Sequence, residues 1–307
     1  MNDILATLQN GNGTPVVFGK TDSRPDAPLI KVPVHGNILT FAPARSGVTS
    51  SFIAHLLAPG VAAASKSLPG GSPAIVFDPN GEMLAATRKR REELGRAVIQ
   101  VSPPRNGRSL KASDVDLRPV LANKADLFVT YDASRRDEVA PWLRAVAGQP
   151  FGLAGYRSPP VTVQVIIDEA DEIGRVPEMR NIFRIGVAGN LQYWLRAFTP
   201  GSLKAAYGRD ADWILVNANA VAFRPAWHMP AADAKALREL IGPQSKLPDD
   251  EIRRMERDEF LLIHNSCRRG TVLRSRLANY REDAAFAGIP IGGSPSVADD
   301  NASDGVA

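Results

Sequence analysis

Apolar residues along the chain fall in short runs separated by amphipathic stretches, which predicts strands and helices in alternation. Asn37 to Phe41 is a β-rich run that stops before Pro43, and SFIAHLLAP at 51–59 follows with Phe52, Ile53, Leu56 and Leu57 at helical spacing. Small and polar residues from Gly60 to Gly71 read as a loop. Ala74 to Asp78 is an apolar strand closing on an acid, GEMLAATRKRREELG at 81–95 a helix, and AVIQV at 97–101 another strand. ADLFVTYD at 125–132 predicts a strand, and RRDEVAPWLRAVAG at 135–148 a helix kinked at Pro141. VTVQVIIDEA at 161–170 is the clearest strand in the chain. Leu191 to Phe198 and Ala220 to Phe223 are further strands, with helical PGSLKAAYG and DADWILVNA between them. EFLLIH and GTVLRSRL, joined through Asn265–Arg269, read as a C-terminal β-hairpin.

This order of elements argues for an α/β fold, a mostly parallel sheet with helices on both faces. Residues 1–30, rich in Gly, Pro, Asn and Asp, are expected to be a loosely ordered lead-in. Residues 31–289 then form a single domain, and 290–307, poor in large apolar residues, a disordered tail.

Composition changes this picture little. The chain has 307 residues, 44% of them hydrophobic and 23% charged, as in an ordinary soluble domain, and a mild net charge of +4. Basic residues cluster in TRKRREELGR at 87–96 and CRRG at 267–270. Two readings apply to such clusters, a solvated face and a nucleic-acid patch. The single cysteine, Cys267, cannot close an internal disulfide, which fits a reducing cytoplasm. No apolar run is long enough to span a bilayer, and the N-terminus lacks a signal-peptide layout. His35, His55, His228 and His264 show no metal-ligand spacing.

The candidate chemistry begins at FAPARSGVTS, residues 41–50, between the first strand and the first helix. A phosphate loop presents backbone N–H groups and a helix N-terminus to phosphate, while a lysine reaches the β and γ phosphates and a hydroxyl holds Mg²⁺. Ala42 stands at the first glycine position, Gly47 at the second, Val48 at the lysine and Thr49 at the hydroxyl. With two of four signature residues missing, the stretch is either a nucleotide loop or an ordinary strand–turn–helix junction. VQVIIDEAD at 163–171 likewise has two readings. One is an NTPase strand end, with Asp168 holding Mg²⁺ and Glu169 orienting the attacking water. The other is a strand followed by an acidic helix cap.

Together these segments resemble the cytosolic motor domain of the type IV secretion coupling proteins, the TraG/TraD family of conjugative DNA transfer. The resemblance runs from about Pro33 to Ala287. It is carried by HGNILTFAPARSGVTSSFIAHLLAPG, PAIVFDPNGEM, VIIDEADEIGRVPEMRNIFRIG, LKAAYGRDADWILVNANAVAFRP, EFLLIH and YRED. It implies a RecA-like P-loop NTPase fold, with Ala44, Arg45, Ser46, Gly47, Val48 and Thr49 as the phosphate loop. It further implies Asp168 and Glu169 as catalytic acids, and Thr49 and Asp168 as the Mg²⁺ side. Arg209 and Arg224 are either subunit-boundary arginines of a homo- or hetero-hexamer or plain surface arginines. Partners would be a coupling protein or other conjugation component, and single- or double-stranded DNA. The resemblance and composition place the protein in the cytoplasm without direct membrane insertion, recruited to the inner membrane through a partner.

The departures are specific. Val48 replaces the family's lysine, Phe198 its sensor glutamine and Asn80 the lysine of DPKGE, while the all-α insertion is absent near 105–109. Loss of one charge-assisted phosphate contact removes about 1.5–3 kcal/mol, so ATP and Mg²⁺ are expected to bind weakly, by about one to two orders of magnitude. Three classes of function remain. One is a non-hydrolysing pseudo-ATPase that binds a partner or DNA, another a weakly active motor. The third is a DEAD-type helicase suggested by the letters Asp168 to Asp171, ranked last because a second lobe with its own motifs is missing.

Overall fold

Strands buried along their whole length must be covered on both faces. The computed structural model describes residues 14–58, 71–103, 111–224, 231–241, 252, 255–256, 258–265 and 272–292. Five strands are buried at every position: β3 (Ile38–Phe41), β6 (Ala125–Tyr131), β7 (Val163–Ile167), β8 (Leu191–Ala197) and β9 (Ala220–Phe223). They join β1 (Thr14–Lys20), β2 (Leu29–Val34), β4 (Ala74–Pro79), β5 (Ala97–Val101), β10 (Glu259–His264) and β11 (Leu273–Arg276) in one sheet ordered β2-β1-β11-β10-β9-β3-β8-β7-β4-β6-β5. From β9 to β5 every pairing is parallel, and from β9 outward to β2 every pairing is antiparallel.

The two faces alternate residue by residue. Ile38, Val76, Ile166 and Trp194 pack under α1 (Val48–Leu57) and α2 (Glu82–Glu93). Leu39, Phe77, Ile167 and Leu195 meet the apolar stripe of α4 (Arg136–Tyr156) on the other face, with α3 (Arg118–Leu121) alongside. The same core takes in α5 (Met179–Ile185), α6 (Pro200–Tyr207), α7 (Asp210–Val216) and α8 (Ala231–Ile241). The α/β expectation therefore holds, as does the C-terminal hairpin of β10 and β11. Among the described residues no helix is long and apolar enough to cross a membrane.

Several elements differ from the sequence reading. Residues 14–30 are not loose: β1 and the first two residues of β2 lie there, in an antiparallel pair at the sheet edge. Their alternating pattern is hidden by Pro15, Pro33 and the TDSRPDAP turn, and proline is tolerated on edge strands. Helix α4 runs past the expected end at 148, through Pro150 to Tyr156, because Val146, Ala147, Pro150 and Ala154 continue the buried stripe. Residues 1–13 of the lead-in, the junction at 105–109, the CRRG cluster and the tail from 293 lie outside the described residues. Gly292, expected in the tail, donates its N–H to Ala86 O.

The basic run at 87–96 is only partly a solvated face. Arg91 and Arg96 are buried and clamp Asp126 at the start of β6, with Nε–O distances of 2.6 and 2.9 Å. Asp126 also accepts the N–H of Ala74. One carboxylate thus fixes the C-terminal end of α2 and the entries to β4 and β5, at the edge of the sheet opposite the candidate site.

A second buried network joins the edge hairpin to the parallel strands. His55 on α1 accepts the N–H of Val17 at Nδ1 and donates from Nε2 to Gln164 Oε1 at 2.9 Å. Gln164 donates to Gln192, which donates to the carbonyls of Val34 and Gly36. Accepting at Nδ1 fixes the Nε2–H tautomer. Burial, against the Gln164 hydrogen bond and with help from the Arg91 charge, lowers His55 from 6.5 to about 4. The unfolded imidazole takes its proton at higher pH than the folded one. Its contribution to stability is therefore complete above pH 6.5 and lost as pH falls towards 4, by up to about 3 kcal/mol. Long-range ¹H–¹⁵N spectra should show neutral His55 with Nε2 protonated at pH 5.5; an imidazolium at that pH would contradict the network.

Candidate functional site

Parallel strands bring their C-terminal ends to one edge, where sites on open α/β sheets form. Pairing of Thr40 with Arg196, Ile167 with Leu195, Phe77 with Ile167 and Asp78 with Thr130 sets a polar row across five neighbouring strands. In order it runs Thr40, Arg196, Asp168, Asp78 and Thr130. Above it lies the loop from β3 to α1.

That loop turns through Arg45 at φ 56° and Gly47 at φ 83°, while Ala44 and Ser46 keep negative φ. Alternation of this kind points successive N–H groups into one concavity, which suits an anion. Ala44 and Arg45 are exposed, and the Ser46 hydroxyl is buried with no hydrogen-bond partner. Val48 opens α1 but does not line the concavity: it is 6% exposed and belongs to the core. Below it a small cavity is lined by Phe18, Trp194, Phe223, Phe260 and Leu277 among others. The antiparallel strands supply Phe18 and Phe260, and Leu277 follows β11. The residue at the lysine position of the pattern thus has its side chain in the core. Lys20 is no replacement cation, since its Nζ is committed to Asp283 at 2.5 Å.

Thr49, Asp168 and Glu169 come together. Thr49 donates from Oγ1 to Asp168 Oδ2 at 2.9 Å. The other oxygen, Oδ1, accepts Arg196 Nη1 at 3.2 Å and the N–H of Glu169 at 3.1 Å. Arg196 is 5% exposed; the same Nη1 lies 3.5 Å from Glu169 Oε1, and the ring of Phe198 packs 4.6 Å from its guanidinium carbon. The second Glu169 oxygen accepts Arg136 Nη1 at 3.0 Å, and Arg136 reaches Glu172 at 2.7 Å. Both candidate catalytic acids are thus bound by arginines of their own chain. Glu169 also takes φ 58°, a strained conformation for a non-glycine residue that persists only where the surroundings impose it.

Burial pushes the Asp168 carboxyl above the usual range, with Arg196 and then Thr49 pulling it back. Asp78 caps α2 by accepting the N–H groups of Met83 and Leu84, at 3.1 and 2.8 Å. Burial raises it to about 7, with the neighbouring Asp168 charge adding to the shift. The Tyr131 hydroxyl, at the end of β6, is buried without a partner and feels Glu169, Asp168 and Asp78.

A magnesium ion requires free oxygen ligands or their bound waters in octahedral array. The Thr49–Asp168 bond is compatible with such a site, but Arg196 occupies the remaining side of Asp168 with a fixed positive charge. The residues therefore do not fit a divalent cation as the family pattern implies. Among the described residues there is no other cluster of His, Cys, Asp and Glu able to hold a metal.

Of the two candidate boundary arginines, Arg209 is exposed ahead of α7. Arg224 is 5% exposed inside the subunit, and its Nη1 lies 3.8 Å from where a Cβ on Gly47 would sit. A residue so buried is not the plain surface arginine of the second reading. The sequence reading missed Arg196, Arg136, Asp78 and Tyr131. Arg196 carried a signal, a charge inside the apolar run LQYWLRA one residue before its end.

No protein-family model matches the sequence, and no curated protein matches it significantly. Solved structures do. The conjugative coupling protein TrwB in complex with ADP and Mg²⁺ aligns with a TM-score of 0.63 at 11% identity, covering 92% of this chain and 97% of that one. TrwB with the ATP analogue ADPNP gives 0.62 at 10% identity, covering 89% and 98%. VirB4 of Thermoanaerobacter pseudethanolicus gives 0.56 at 14% identity, covering 88% and 97%. Such likeness establishes architecture, and the conclusion it carries is that this chain has the P-loop NTPase fold seen in conjugative coupling proteins.

Proposed function

We propose that the protein is a non-hydrolysing, coupling-protein-like component of conjugative DNA transfer or type IV secretion, one that binds nucleotide weakly and acts by holding a partner. The observation that carries this reading is the state of the two acids. Asp168 and Glu169 are each held by an arginine, while Val48 is packed in the core. A water oriented by Glu169 would have to compete with its ion pairs to Arg136 and Arg196, and the 42–49 loop carries no lysine.

Two kinds of partner follow from different observations. The fold supports docking to a coupling protein or its hexamer, with exposed Arg209 as a contact. DNA is supported by a surface cleft of about 440 Å³ away from the phosphate loop, lined by Arg175, Arg180, Arg184, Asp210 and Trp213. Trp213 is 48% exposed, with the Arg180 guanidinium 4.9 Å from its ring. An accessible indole beside cations is a stacking platform for an unpaired base. Asp210 pairs with Arg175 and Arg180 there and lowers the positive field.

ATP hydrolysis with and without single-stranded DNA should be indistinguishable from the rate of a Glu169→Gln variant. Turnover by the native chain that Glu169→Gln abolishes would establish a working motor instead. Val48→Lys should not restore hydrolysis, and should lower stability by more than about 1 kcal/mol by forcing an amine into the apolar cavity. Binding of a short oligothymidine should quench tryptophan fluorescence, and Trp213→Ala should weaken it about tenfold. Unchanged affinity in that variant would remove the cleft from the DNA reading.

A further inference from the structure

The two residues that depart from the phosphate-loop pattern meet two neighbouring positions of one strand: Val48 shares a cavity with Trp194, and Phe198 packs on Arg196. Trp194 points from β8 to α1, where its ring packs edge-on against Phe52 at 4.8 Å. Alternation along the strand sends Arg196 to the same face, two residues nearer the loop. Its Nη1 lies 3.2 Å from Asp168, which in turn holds Thr49 at the start of α1. Phe198, at the family's glutamine position, supplies the face on which the guanidinium rests. The side chain is 6% exposed, and its Nε–H is buried with no acceptor.

We propose that Arg196 is a built-in cation that takes the place of the divalent ion, so that nucleotide bound on the 42–49 loop is bound without Mg²⁺. The proposal rests on the nucleotide part of the function above. Its logic is electrostatic. A polyphosphate needs positive charge beside the loop, and here the fixed charge next to Asp168 is a guanidinium. A second, divalent charge would have to share Asp168 with it at close range, where like charges repel strongly. Arg196 also has a donor to spare, and a guanidinium is a planar, multi-donor partner suited to phosphate oxygens. Phe198, which reads as a lost sensor in the sequence, becomes the residue that positions this cation.

The test is titration of ATP into the full chain in excess Mg²⁺ and, separately, in EDTA. The affinity in EDTA should equal or exceed that in Mg²⁺, since the magnesium complex is the poorer ligand. Arg196→Gln should weaken binding in EDTA by about tenfold or more, and Arg196→Lys, which keeps the charge, should recover part of it. The native comparison and the lysine variant decide the matter even if Arg196→Gln fails to fold. Binding that Mg²⁺ tightens by about tenfold, or that Arg196→Gln leaves unchanged in EDTA, would overturn the role of Arg196 while leaving a nucleotide site in place. Absence of binding in both buffers would overturn the inference and the nucleotide reading together.

Discussion

The arrangement of the loop edge depends on one buried ion pair, Arg196 with Asp168. Removing two charges from water is costly, and the attraction between them offsets this only when geometry and further hydrogen bonds are good. Here Thr49 and the Glu169 N–H complete the carboxylate, and Phe198 covers the guanidinium. Deleting one partner of such a pair leaves a buried, uncompensated charge and typically costs about 3–5 kcal/mol. The pair therefore constrains its neighbours: Glu169 is held in a strained backbone conformation, Arg136 takes its other oxygen, and the start of α1 is tied to the end of β7.

The antiparallel extension of the sheet explains the valine. Phe18 from β1, Phe260 from β10 and Leu277 beyond β11 create an apolar wall under the start of α1. Val48 completes that wall, so the residue at the lysine position serves packing rather than phosphate. The same hairpin is tied down by His55 through Val17 and by Lys20 through Asp283. Edge strands, helix α1 and loop thus form one packed unit, and the change at position 48 fits its surroundings.

Much of the fold was legible because strong periodicity survives a single sequence: the parallel strands, helices α1, α2, α4, α6 and α7 and the closing hairpin follow from the apolar pattern, whereas α3, α5 and α8 were not read from it. The edge pair β1–β2 was not, since prolines and a polar turn imitate an irregular segment. Proximity was the harder part of the site. Ordered motifs identified the loop and the acids, but nothing in the sequence says that Arg136 and Arg196 reach Glu169 and Asp168 from elements 33 and 28 residues away. Likewise, Arg91 and Arg96 read as surface charge because burial of an arginine is visible only once its partner, Asp126, is placed beside it.

On the proposal made above, the positive charge that a metal would bring beside Asp168 comes from Arg196 of the chain itself. The most direct measurement is a crystal structure of the protein soaked with a non-hydrolysable ATP analogue and Mn²⁺, read by the anomalous signal of manganese. The account predicts no manganese beside Thr49 and Asp168, with the Arg196–Asp168 pair intact and a guanidinium N–H on a phosphate oxygen. Manganese seated between Thr49 and the phosphates, with Arg196 turned away from Asp168, would contradict it.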